Sequence, residues 1–211
     1  MNNYSLTLHN VTKIFGRRLV FKDINFELGS GSVYGISGKN GSGKSTLAKI
    51  IAGIISPTSG KIIHQFNGSE IKSEQLHDYI GFVSPYLFLY DEFSADENLY
   101  HFAKIRNAKV NKNRIDELFE LFSLSDRRND LLKGYSSGMK QRMKFIFALQ
   151  HSPKIILLDE PTSNLDNAGK EAVYNLVREE AENNLVIIAS NEESDLELCS
   201  DIINVEKFKG V

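Results

Sequence analysis

A short apolar run, a glycine-rich loop and an amphipathic stretch follow one another in SVYGISGKNGSGKSTLAKIIAGI, residues 32–54. SVYGIS reads as a buried strand and KSTLAKIIAGI has helical spacing, so the loop must turn the chain from one into the other. Gly38, Gly41, Gly43, Lys44 and Ser45 fill the pattern G-x-x-x-x-G-K-[ST]. Glycine admits positive φ angles and a close approach of backbone to ligand. The loop amides, those of Lys39, Asn40 and Ser42 included, then form a nest for phosphate oxygens. The helix beginning near Lys44 and continuing through Thr46 adds its positive end. Lys44 would reach the β- and γ-phosphates and the Ser45 hydroxyl would bind Mg²⁺. A turn that merely links strand to helix would need neither Lys44 nor Ser45, and the segment is read as a nucleoside-triphosphate site.

At 211 residues the chain is long enough for one full α/β core. The net charge of −2 gives no electrostatic reason to expect nucleic acid as a partner. The single cysteine, Cys199, excludes an internal disulfide or a cysteine-based metal cluster and reads as a small packing residue. The N-terminal MNNYSLTLHN lacks a basic-then-apolar signal, and no apolar run reaches the length of a membrane span. The expectation is a cytoplasmic protein that meets a membrane only through a partner.

Ahead of the loop, YSLTLHNVTKIF and VFKDINFEL alternate apolar and polar residues around the turn at Gly16–Arg18, which points to a small antiparallel layer. KIIHQF and YIGFV are further strands, separated from the first helix by the turn-rich SPTSG. ADENLYHFAKIR, KNRIDELFELF and SSGMKQRMKFIFALQH have helical periodicity with no strand between them, a helical insert at about 86–152. KIILLDEP and LVIIAS are buried strands on either side of the helix NAGKEAVYNLVREEAEN. The whole reads as one domain spanning 1–211.

IILLDEP ends a buried strand on Asp159 and Glu160. In an open α/β sheet that edge is where ligands bind, so Asp159 is a candidate for Mg²⁺ and Glu160 for polarising an attacking water. GYSSGMKQR begins a helix 23 positions before Asp159, with Ser136 near its N-cap and Gly138 in its first turn.

In this order the motifs resemble the nucleotide-binding subunit of ABC (ATP-binding cassette) transporters, from about Leu6 to Val205. The resemblance implies an α/β fold. Its P-loop NTPase core is a mostly parallel sheet with flanking helices, joined by an N-terminal antiparallel β layer and an inserted α-helical subdomain. It implies ATP and Mg²⁺ as ligands, hydrolysis, a head-to-tail dimer around two ATP molecules, and a separate transmembrane permease as partner. By position, Phe15 resembles the aromatic that stacks on adenine, and a buried strand phenylalanine is the equal alternative. Ser136 and Gly138 resemble the signature that contacts nucleotide on the opposite subunit, and Asp166 in SNLD resembles the D-loop while also fitting a helix N-cap. SPYLFLYDEF would lie near the membrane partner, and its four aromatics, Tyr86, Phe88, Tyr90 and Phe93, are either a docking patch or core.

The chain departs from the family twice. Pro85 stands where the family has a glutamine that helps bind Mg²⁺, and Asn191 where it has a histidine that contacts the γ-phosphate. Losing a donor aimed at developing charge costs on the order of 10²–10³ in rate, so slow hydrolysis is expected, with Lys44, Glu160 and Asn191 as its catalytic groups. A soluble, non-transport cassette acting as a slow nucleotide switch is the alternative function, and either a homodimer or a heterodimer fits.

Overall fold

The computed structural model describes residues 3–106 and 110–209. The strands β1 (Tyr4–Phe15) and β2 (Arg18–Gly29) form an antiparallel hairpin, and β4 (Ser59–Phe66) with the two-residue β5 (Ser69–Glu70) extends it to the order β2-β1-β4-β5. The remaining strands are β3 (Ser32–Ser37), β6 (Ile80–Val83), β7 (Ile155–Asp159), β8 (Leu185–Ala189) and β9 (Asp201–Asn204). They form a second sheet, ordered β6-β7-β8-β3-β9, whose pairings are parallel throughout. The helices are α1 (Lys44–Ile51), α2 (Ala95–Ile105), α3 (Lys112–Leu121), α4 (Ser137–Leu149), α5 (Asn167–Ala181) and α6 (Glu193–Leu196).

Every residue of β7 and β8 is buried, which explains their unbroken apolar composition. Because side chains alternate between faces, these two strands supply two cores. Ile155, Leu157, Leu185 and Ile187 pack with α1 and the antiparallel sheet, while Ile156, Leu158, Val186 and Ile188 pack with α4 and α5. The helical insert α2–α4 lies between β6 and β7 in sequence and joins the second core through Leu118, Phe119, Phe122 and Phe145. An ion pair from Arg114 on α3 to Glu180 on α5, both largely buried, ties the insert to the rest of the fold.

One boundary differs from its composition. SPTSG is rich in turn residues, yet β4 already begins at Ser59. Gly60 explains this, because it has φ 88° and packs so close to β1 that a Cβ would lie 2.3 Å from the Asn10 carbonyl oxygen.

The insert is started by a reciprocal cap on α2. Ser94 Oγ accepts from the Glu97 amide at 3.2 Å, and the Glu97 carboxylate accepts from the Ser94 amide at 2.7 Å. Ser94→Ala is expected to lower stability by about 1 kcal/mol. Urea unfolding should show a lower midpoint with an unchanged slope, and an unchanged midpoint would contradict the role given to this cap.

Candidate functional site

The loop between β3 and α1 has the backbone that its glycines permit. Gly38, Gly41 and Gly43 have φ of 144°, 75° and 114°. A Cβ on Gly43 would come within 2.6 Å of Val20 Cγ1, and one on Gly38 within 2.6 Å of Ser42 Oγ. Gly43 is the N-cap of α1, and no side chain caps that helix or places an acid in its first turn. Its leading amides are therefore left for an anion.

Lys44 is 5% exposed, and its ammonium donates to the Gly38 carbonyl at 2.8 Å and lies 3.5 Å from Glu160 Oε1. Ser45 Oγ donates to Asp159 Oδ1 at 2.9 Å. Asp159 Oδ2 is buried without a hydrogen-bond partner. Such an oxygen is costly to leave unsatisfied and fits a cation. Burial pushes the Asp159 carboxyl above its usual range, against the Ser45 hydrogen bond and the Lys49 and Lys44 charges. Burial also raises Glu160, with Lys44 opposing.

The parallel register brings the next group in. Asp159 pairs with Ala189, so Ser190 and Asn191 leave β8 beside Glu160. With its amide nitrogen turned toward the acid, Asn191 donates to both Glu160 oxygens, at 3.2 and 3.3 Å. Glu160 itself has φ 50°, uncommon for a residue with a Cβ and a mark of a site held by its surroundings.

A carboxylate that no sequence motif singled out lies beneath this edge. Asp195, 0% exposed at the start of α6, accepts from Ser190 Oγ at 2.7 Å, from Thr162 Oγ1 at 3.0 Å and from Tyr174 Oη at 3.1 Å. It binds the loop after β7 to the loop after β8, and those loops carry Glu160 and Asn191.

Above the loop is a cavity of about 510 Å³. Phe15 and Arg18 line it from the antiparallel sheet, and Lys44, Ser45, Tyr86 and Glu160 from the parallel one. Phe15 is 51% exposed, so it is not a core residue, and the Lys13 ammonium lies 4.8 Å from its ring centre. Arg18, another residue the motifs did not reveal, reaches within 3.4 Å of the Gly41 carbonyl.

Ser136, Gly138 and Asp166 do not line that cavity. Ser136 caps α4, accepting from the Met139 amide at 3.2 Å, and Asp166 caps α5, accepting from the Gly169 amide at 2.9 Å. An ion pair from Arg142, within α4, to Asp166 joins α4 to the cap of α5. Gly138 lies against the loop after β7, where a Cβ would be 3.2 Å from the Asn164 carbonyl oxygen. The site residues expected from sequence thus fall into two groups, one around the cavity and one on a separate surface.

Residues 21–163 match the family model described as ABC transporter. The chain belongs to the ABC transporter family. It is 36% identical over 206 residues to the uncharacterized ABC transporter ATP-binding protein YhcH of Bacillus subtilis (strain 168), covering 95% of this chain and 66% of that protein. It is 36% identical over 199 residues to the bacitracin transport ATP-binding protein BcrA of Bacillus licheniformis, covering 93% of this chain and 64% of that protein. The chain therefore spans slightly less than two thirds of the length of these curated relatives. Among solved structures it resembles cbiO1 from Clostridium perfringens, part of the ABC transporter complex cbiONQ. That likeness has a TM-score of 0.76 and 26% identity over 97% of this chain and 86% of that one.

The Asp195 cluster generates a prediction. Asp195→Ala would leave the buried Thr162 and Ser190 hydroxyls without their acceptor, each at about 1–3 kcal/mol. A loss of about 3 kcal/mol in urea unfolding is expected, with a smaller loss for Asp195→Asn, which keeps an acceptor oxygen. A change below about 0.5 kcal/mol, as at an ordinary surface site, would contradict the role given to this carboxylate.

Proposed function

We propose that this chain is an ATP-binding and ATP-hydrolysing subunit that dimerises head-to-tail around Mg-ATP and drives a separate membrane permease. The observation carrying the reading is the set Lys44, Ser45, Asp159 and Glu160 at one sheet edge, with Asp159 Oδ2 buried and without a partner.

Each residue then has a chemical task. The amides of residues 38–46 cradle the phosphates, and the Lys44 ammonium pairs with the β- and γ-phosphates. Ser45 Oγ and Asp159 would hold Mg²⁺, a cation that neutralises charge developing on the phosphate oxygens. Glu160 orients and polarises the attacking water, with Asn191 fixing its carboxylate. Phe15, exposed at the far wall of the cavity, offers its ring to adenine. Ser136, Gly138 and Asp166 serve the nucleotide of a second subunit, homologous or different, which is consistent with their lying outside this chain's own cavity.

Transport is supported by the family and by the names of relatives such as the bacitracin transport protein BcrA. No helix among the described residues is long and apolar enough to cross a membrane, and the reading places this subunit on the cytoplasmic face of a permease. Pro85 and Asn191 make hydrolysis slow, since neither supplies a long neutral donor or a ring nitrogen at the phosphate.

Two measurements test the reading. In isothermal titration, Lys44→Ala should weaken Mg-ATP binding about a hundredfold, the loss of charge-assisted contacts worth about 3 kcal/mol. Equal affinity in parent and mutant would remove the phosphate assignment. In steady-state phosphate release at saturating Mg-ATP, the parent should be slow and Asn191→His should be about tenfold faster, about 1.4 kcal/mol of transition-state stabilisation. Pro85→Gln should gain less, because loss of proline also frees the loop backbone. A fast parent that Asn191→His leaves unchanged would show that Asn191 already does the histidine's work.

A further inference from the structure

The segment after β6 carries its aromatics to two different places. Val83 pairs with Leu158, so Ser84 leaves the sheet at the level of Asp159. The Leu87 amide donates to the Ser84 carbonyl at 3.1 Å, closing a four-residue turn with Pro85 second and Tyr86 third. Proline suits the second position because its φ is fixed in advance. Lys144 holds the turn from outside, its ammonium 3.3 Å from the Ser84 carbonyl and 3.2 Å from that of Pro85. Leu87 and Phe88 then line a separate groove with Lys140 and Lys144, and Phe88 is 84% exposed. Tyr86 alone of the four aromatics turns into the cavity of Lys44, Ser45 and Glu160.

Lys49 of α1 packs against Tyr86. Its ammonium lies 4.3 Å from the centre of the Tyr86 ring. Lys49 follows Ser45 by four positions on α1, one turn along the same helical face. Tyr86 and Ser45 line the same cavity, and Phe15 lines it from the antiparallel sheet. Tyr86 brings to the cavity a hydroxyl donor on a side chain 65% exposed. Pro85, the neighbour from which a polar group is expected, has none to give.

We infer that Tyr86 is a γ-phosphate-sensing residue, its hydroxyl donating to the terminal, anionic end of bound Mg-ATP and thereby distinguishing ATP from ADP. This rests on the proposed nucleotide site and assigns it a donor that the phosphate loop does not contain. Tyr86→Phe removes the donor while keeping the ring and its contact with Lys49.

The test is isothermal titration of the parent and Tyr86→Phe with Mg-ATP and, separately, Mg-ADP. Tyr86→Phe should weaken Mg-ATP about tenfold or more, the worth of one hydrogen bond to a charged group, and leave Mg-ADP within about twofold. The chain contains no tryptophan, so Tyr86→Trp places a single tryptophan at the same point. Its emission should change with Mg-ATP and stay nearly constant with Mg-ADP. Unchanged Mg-ATP affinity in Tyr86→Phe, or equal losses for both nucleotides, would overturn the inference while leaving the nucleotide site intact. A Tyr86→Trp emission indifferent to bound Mg-ATP would overturn it as well. A parent that binds neither nucleotide would overturn the site and this inference together.

Discussion

Lys44 carries a full positive charge where water hardly reaches it, and much of the site's architecture follows from neutralising that charge. A buried ammonium without partners costs several kcal/mol. Its partners here come from far apart in the chain, the Gly38 carbonyl from its own loop and the Glu160 carboxylate from the end of β7. Bringing Glu160 there needs β7 beside β8 and β8 beside β3, which is the order of the parallel sheet. It also needs Glu160 in a backbone conformation with φ 50° that few residues bearing a Cβ adopt. In that conformation the Glu160 amide donates to the Ala189 carbonyl at 2.8 Å and its carbonyl accepts from Ser163 Oγ at 2.9 Å, while the Asp195 cluster joins the loops after β7 and β8.

The same charge explains how the site would respond to its ligand. In the proposed function the phosphates supply a stronger partner for Lys44 than Glu160 does. Glu160 is then released from its ion pair at the moment a water needs orienting. Burial already raises its carboxyl against the pull of Lys44, so removing that pull leaves a more basic group. Asn191, bonded to both carboxylate oxygens, keeps the group aimed while its partner changes. On the inference drawn above, Tyr86 adds a donor to the same cavity, carried on the turn whose second position Pro85 fills.

Much of this was legible in the sequence because the motifs are local. The phosphate loop is contiguous, and its glycines state the backbone angles it needs. Asp159 and Glu160 end an apolar run whose continuity says that both faces are covered. The helical insert announces itself by period. What stayed hidden depends on contacts between distant segments. Asp195 sits in ESDL, an unremarkable acidic stretch, and meets Thr162 and Tyr174 only through the sheet order. Phe15 is equally compatible with core and surface in an alternating strand, and the structure leaves it exposed beside the cavity at the very end of β1. SPYLFLYDEF reads equally as docking patch or core, because nothing in its composition shows that the turn at Pro85 sends Tyr86 to one cavity and Phe88 to another groove.

The central claim is that two chains close around Mg-ATP, each presenting Ser136 and Gly138 to the other's phosphate loop, and that Glu160 ends this state by hydrolysis. Sedimentation velocity of Glu160→Gln with Mg-ATP tests it most directly, since that change keeps the shape of the side chain and removes its basicity. The account predicts a species of about twice the 23.8 kDa chain mass with Mg-ATP, and the single chain with Mg-ADP or without nucleotide. A Glu160→Gln protein that binds Mg-ATP yet sediments as a single chain at every concentration would contradict the claim for this chain paired with itself. If adding a second ATP-binding subunit also failed to produce a nucleotide-dependent dimer, the claim would fall altogether.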